Sequence, residues 1–205
     1  GEAYRKGDPN YDARSTVPAI VDVTTGAVVN NDYHALTTEL ALGFKDFISP
    51  DAPDIYPEEL RADIDALNVI IYADFNLAVN LAALVTNQKD YEYYYDRIFA
   101  RLDWLEERLS KQRYLMGDTI TDSDIRIFPT LARFDLVFYQ KYLVNKKRLV
   151  DYPNLWNYAK DLYSNPAFGG TTDFDSMRKR FYYVDHTPFE DLPRLVPKGP
   201  DDSIW

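Results

Sequence analysis

With 205 residues, 46% of them hydrophobic, the chain can bury one sizeable core, or a small and a larger one, and its net charge of −10 argues against a nucleic-acid or anionic-membrane surface. The absence of cysteine removes disulfides, thiolate metal sites and an in-chain cysteine nucleophile. His34 and His186 stand far apart in sequence, so neither a zinc centre nor a Ser-His-Asp triad is supported; no glycine-rich phosphate loop, signal-peptide pattern or bilayer-spanning apolar run is expected.

The first predicted elements are strands. "VPAIVDVTTGAVVNND" carries apolar runs at residues 17–23 and 27–29 with Thr25-Gly26 as a turn, which reads as a β-hairpin. Pro18 stands inside the first run, where it cannot donate to a ladder. From this stretch alone two readings stay open: an edge-strand proline without a ligand, or a tight, even cis, bend that leaves Val17 with its backbone N–H and C=O free for one. Asn30, Asn31 and Asp32 then supply capping side chains for a helix over "YHALTTELALGF".

Residues 49–57, "SPDAPDIYP", read as a linker, and beyond them the strand signal ends. Pro57 suits a first helical residue, and Leu60, Ile64, Leu67 and Ile71 follow at helical spacing. Residues 75–85 are apolar on most sides, as a buried bundle helix requires. Tyr94, Ile98, Leu102, Leu105 and Leu109 form the next stripe. In "YLMGDTITDSDIRIF", Thr121 and Asp124 make a capping box, with Ile120 and Ile125 placed as a hydrophobic staple. That is a folding device first. The expected fold class is α+β and mostly α.

A strand-strand-helix unit with a pre-proline bend, a linker and an all-α domain bearing this capped helix resembles the glutathione transferases. The segments "RSTVP", "NNDY", "SDIRIFPTLARFD", "DYPNLW", "YYVDH" and "VPKGP" stand in the order of the xi class, the glutathionyl-hydroquinone reductases. The resemblance runs from Tyr11 to Pro200. It implies three parts: residues 1–46 as the second half of a thioredoxin-like, thiol-binding domain, residues 47–57 as linker, and residues 58–205 as the all-α transferase domain with an extended tail.

By the same resemblance Pro18 is a cis-proline, and the Val17 backbone pairs with the cysteinyl part of a thiol tripeptide such as glutathione. The N–H groups opened by Asp32 and Tyr33 hold the ligand's carboxylate, and Arg14 adds charge there. The family's chemistry belongs to a cysteine in a "CPWAH"-like motif, expected N-terminal to Gly1. Three departures bear on mechanism. Asp32 and Tyr33 stand where the family has Glu and Ser. Asn80 stands at the family's catalytic tyrosine, and Phe138 replaces another pocket tyrosine. One auxiliary tyrosine survives near "RFYYVDH", Tyr182, with a one-residue ambiguity toward Phe181. The implied function is a thiol-dependent enzyme that reduces or conjugates thiol adducts of quinone-like electrophiles, cytoplasmic, homodimeric and without metal. The alternative is a catalytically degenerate binding or scaffold protein that keeps the fold.

Overall fold

The computed structural model describes residues 1–183 and 196–205, and the chain separates into two compact units, Gly1–Tyr56 and Pro57–Trp205.

The first unit opens with a short helix that the sequence reading lacks, α1 (Glu2–Gly7). Tyr4 anchors it, buried to 8% exposure, with its hydroxyl donating to the Thr16 carbonyl at 2.6 Å. Gly7 is required by close approach, since a Cβ there would meet the Val28 carbonyl oxygen at 2.7 Å. The hairpin is present but short: β1 (Ile20–Val21) pairs antiparallel with β2 (Val28–Asn30), with an irregularity between Ile20 and Val21. Two features trim the predicted 17–23 run. Pro18 offers no N–H, and Asp22 Oδ1 accepts from Thr24 N at 2.7 Å and Thr25 N at 3.3 Å, drawing the chain into the turn. Gly26 completes that turn at φ 67°. Helix α2 (Leu36–Gly43) begins later than the capping residues suggest, because Asp32 first closes a separate turn over residues 33–35.

The second unit is helical. A 3-10 turn (Glu58–Leu60), α3 (Arg61–Ile71), a π segment (Tyr72–Asn76) and α4 (Ala78–Leu84) run on as one helix, Glu58–Leu84. Pro57 precedes the helix, with extended backbone at ψ 141°, instead of serving as its first residue. The fused helix is long and apolar enough, by length and composition alone, to cross a bilayer, which corrects the expectation that no such run exists. One side of it, Ile64, Leu67, Ile71, Phe75, Val79 and Ala82, is buried. Helix α3 packs on α6 (Asp122–Arg133), and α4 packs on α5 (Gln88–Leu109). Asp74, in the π segment, is clasped by Arg97 and by Arg101 of α5, the latter at 2.6 Å.

Helix α6 continues through a second π segment (Phe134–Phe138) into α7 (Tyr139–Lys141). After a 3-10 turn (Leu149–Asp151) come α8 (Pro153–Ser164), α9 (Pro166–Gly169) and α10 (Phe174–Arg178). The core joins α5 to α6 and α8 through Ile98, Leu102, Leu105, Ile127, Leu131, Leu155 and Leu162, all at 0% exposure. His186 lies outside the described residues. Residues 200–205 pack on this unit: Arg178 donates to the Pro200 carbonyl at 2.8 Å and pairs with Asp202, while Trp205 meets the rings of Trp156, Tyr163 and Phe174.

Candidate functional site

In the first unit, the segments expected to hold a thiol are brought together by Thr16 and Asn31. Asn31 Nδ2 reaches Thr16 Oγ1 at 3.5 Å, and Tyr4 holds the Thr16 carbonyl from the other side. Two neighbouring loops thus carry Val17-Pro18 and Asp32-Tyr33. The Val17–Pro18 peptide is cis. Val17 is 90% exposed, and among the described residues its backbone N–H and C=O have no hydrogen-bond partner. An exposed, unpaired backbone N–H and C=O of this kind can donate to and accept from a peptide-like ligand.

Asp32 plays a part its sequence position only half disclosed. Its Oδ1 accepts from His34 N at 2.8 Å and Ala35 N at 3.2 Å, so two N–H groups expected to meet a ligand carboxylate already meet Asp32. Tyr33 is 43% exposed beside this turn, its ring edge-on to His34 at 5.6 Å. Arg14 is exposed, its carbonyl fixed by the Tyr11 hydroxyl at 2.8 Å. Sequence reasoning missed Thr16 and Tyr4 as organisers; the signal for Thr16 was its place immediately before Val17.

In the second unit, Asn80 is exposed on α4 and donates through Nδ2 to the Asn76 carbonyl at 2.9 Å. Asn76 in turn donates to the Arg126 carbonyl at 3.0 Å and accepts from Thr130 at 2.8 Å, tying the π segment to α6. Phe138 is 3% exposed and sits among Tyr142 and Phe181, with ring centroids at 5.5 and 6.4 Å. A hydroxyl-free ring there can only pack. Tyr182 donates to the Leu136 carbonyl at 3.1 Å, with the Lys141 ammonium 5.6 Å from its ring centroid. Burial, and then Tyr142, push its phenol above the ordinary value of 10.0. Its proton is therefore held on the backbone. Phe138 packs in one aromatic cluster with Tyr142 and Phe181, and Tyr182 follows Phe181 in the chain. Among the described residues, no group of three or more His, Asp or Glu side chains could hold a metal ion.

Residues 88–161 match the family model described as the glutathione S-transferase C-terminal domain. Over 203 residues the chain is 35% identical to glutathionyl-hydroquinone reductase PcpF of Sphingobium chlorophenolicum, covering 99% of this chain but 64% of that protein. The crystal structure of glutathione transferase Xi 1 from Trametes versicolor superposes with a TM-score of 0.90 at 35% identity, covering 100% of this chain and 70% of that one. The glutathione-bound structure of YqjG, a glutathione transferase homolog from Escherichia coli K-12, superposes at 0.89 and 31% identity, covering 99% and 65%. The chain thus spans less than two thirds of the length of PcpF. Fold, motif order and identity agree, and the chain belongs to the xi class of the glutathione transferase family.

Proposed function

We propose that these residues are the thiol-binding and electrophile-binding body of a glutathione-dependent enzyme that reduces or conjugates glutathionyl adducts of quinone-like electrophiles. The observation that carries this reading is the exposed Val17 backbone beside the Asn31–Asp32 turn, in a chain alike over 99% of its length to a glutathione-bound homolog. Because the 205 residues hold no cysteine, the sulfur nucleophile is assigned to a cysteine outside them. That thiolate attacks the adduct sulfur, the ring carbon–sulfur bond breaks, the ring carbon takes up a proton as hydroquinone leaves, and a second glutathione resolves the mixed disulfide to glutathione disulfide and free thiolate. Val17 pairs with the cysteinyl backbone, Asp32 faces the ligand's amino group with its remaining oxygen, and Arg14 favours its carboxylate end. Asn80 and Tyr182 are the polar groups offered toward the electrophile, and Phe138, 3% exposed, only packs. A homodimer in a reducing compartment, working without a metal, belongs to the same reading.

A second reading is favoured by Asn80 and Phe138, which leave the pocket without two phenolic proton donors. It keeps the ligand cleft and loses turnover. Calorimetric titration with glutathione tests the first step. Saturable binding is expected, weakened at least tenfold by Val17→Pro, which removes the N–H, in a variant whose circular dichroism matches that of the parent chain. Absence of binding, or binding indifferent to that substitution, overturns the thiol assignment. Turnover of a glutathionyl-hydroquinone by a chain that includes the cysteine then separates enzyme from scaffold.

A further inference from the structure

A cavity of about 130 Å³ lies between residues 200–205 and the helical body, apart from every residue assigned above. Its apolar wall is built from Ala132, Leu136, Val150, Trp156, Phe174 and Trp205. A dry cavity of about 150 Å³ accommodates benzene, so this one has the size of a single six-membered ring. Tyr139 and Gln140 give it a neutral polar edge, and Asp135, Arg148, Asp201 and Asp202 give it charge.

The charges do not cancel. Arg148 is clasped by Asp151, with Nη2 to Oδ1 at 3.1 Å and Nε to Oδ2 at 3.4 Å. Asp202 is paired with Arg178, which also holds the Pro200 carbonyl and so fixes the C-terminal wall. Arg148 also acts on Asp135 beside it, so one cation serves Asp135 and Asp151 together, and Asp201 has no cation of its own among the described residues. Asp135 accepts from Leu149 N at 2.6 Å and Val150 N at 3.3 Å, and Asp201 Oδ1 from Ser203 N at 3.0 Å. Each carboxylate keeps unused acceptor capacity, and the three lining carboxylates Asp135, Asp201 and Asp202 outnumber the one lining cation, Arg148. Trp156 and Trp205, edge to face at 4.7 Å, add aromatic surfaces that attract cations.

We propose that the cavity beneath the C-terminal residues 200–205 is a second small-molecule site, and that it takes a single-ring aromatic amine. The ring fills the space between Leu136, Val150 and Trp156, and the ammonium lies toward Asp135 and Asp201. The site does not depend on glutathione chemistry, so its failure leaves the proposed function standing.

The test is calorimetric titration of the full chain with benzylamine, using benzyl alcohol and benzoate as neutral and anionic probes of equal size. Saturable one-to-one binding is expected, with the amine ahead of the alcohol and the alcohol ahead of benzoate. Ala132→Leu, which fills the cavity floor, should abolish binding of both amine and alcohol. If that variant does not fold by circular dichroism, Val150→Phe fills the same space from the half-buried side. Asp201→Asn should leave the alcohol unchanged and reduce the amine's advantage about threefold, the size of one partly exposed charge pair. Benzoate binding as well as the amine, amine binding that survives a folded cavity-filling variant, or no saturation by any probe each overturns the proposal.

Discussion

Asp124 meets four donors with two oxygens. Oδ1 accepts from Leu115 N at 3.0 Å and the Tyr158 hydroxyl at 2.7 Å, and Oδ2 from Thr121 N at 2.8 Å and Thr121 Oγ1 at 3.0 Å, with none of these residues more than 3% exposed. The Thr121 half of this array is the capping box read from the sequence. The Leu115 and Tyr158 half is not visible there, because Tyr158 comes from α8, 34 residues on. Replacing Asp124 by Asn turns one oxygen into a donor that faces donors, so Asp124→Asn should cost about 2 kcal/mol in urea unfolding. Tyr158→Phe leaves Leu115 N still on Oδ1 and should cost about 1 kcal/mol. Burial raises the Asp124 carboxyl above its ordinary 3.8, against the four bonds that lower it. A folded value raised above the unfolded one contributes stability below 3.8 that is lost as pH rises through the raised value. Across that window the stability of the native chain should fall with pH relative to Asp124→Asn. A parallel pair of pH–stability curves refutes the assignment.

Caps borrowed from other elements explain why some helix starts were legible and others were not. Helix α5 begins with its own Asn87, whose Oδ1 accepts from Asp90 N at 3.0 Å, a local device that sequence can carry. Helix α8 begins with Pro153 after Tyr152, which has no capping oxygen to offer its N–H groups. Glu106 of α5 serves instead: Oε1 accepts from Asn154 N at 3.0 Å and Oε2 from Leu155 N at 2.8 Å. "DYPNLW" was readable as a family segment, but its physical partner stands 48 residues upstream. The same holds for Asp135, which supports the turn Leu149–Asp151 from the π segment 14 residues upstream. The helical stripes and the hairpin were legible because they rest on local period. The meeting of Thr16 with Asn31 was not, since only tertiary contact creates it. Glu106→Ala should cost about 2 kcal/mol, since it strips two partly buried N–H groups of their acceptor at a helix N-terminus. Glu106→Gln keeps one acceptor and should cost about half of that. Equal losses for both substitutions would mean that packing, not capping, is Glu106's contribution.

At the scale of the molecule, the two units differ in what holds them. The helical unit has a continuous core in which Phe75, Phe99, Phe134 and Leu131 are at most 1% exposed. The first unit buries Tyr4, Ala27, Leu36 and Tyr56, each at 8%, while Val17, Val23 and Phe47 are 85% exposed or more. Local opening free energy follows buried apolar contact and protected backbone bonding, so amides of β1, β2 and α2 should exchange with solvent deuterium through openings that leave α5, α6 and α8 intact. The same unit carries the proposed thiol site. A ligand that binds the closed form at about 100 times its Kd adds about 2.7 kcal/mol, roughly a hundredfold in protection. Saturating glutathione should therefore slow exchange at β1, β2 and the first turn of α2 by up to about that factor. Ophthalmate, which replaces the thiol by a methyl group, should do nearly as well, because Val17 and Asp32 meet the backbone and termini of the ligand and not its sulfur. Slowing confined to α6 and α8, with the first unit unchanged, would place the thiol elsewhere and remove the role given to Val17.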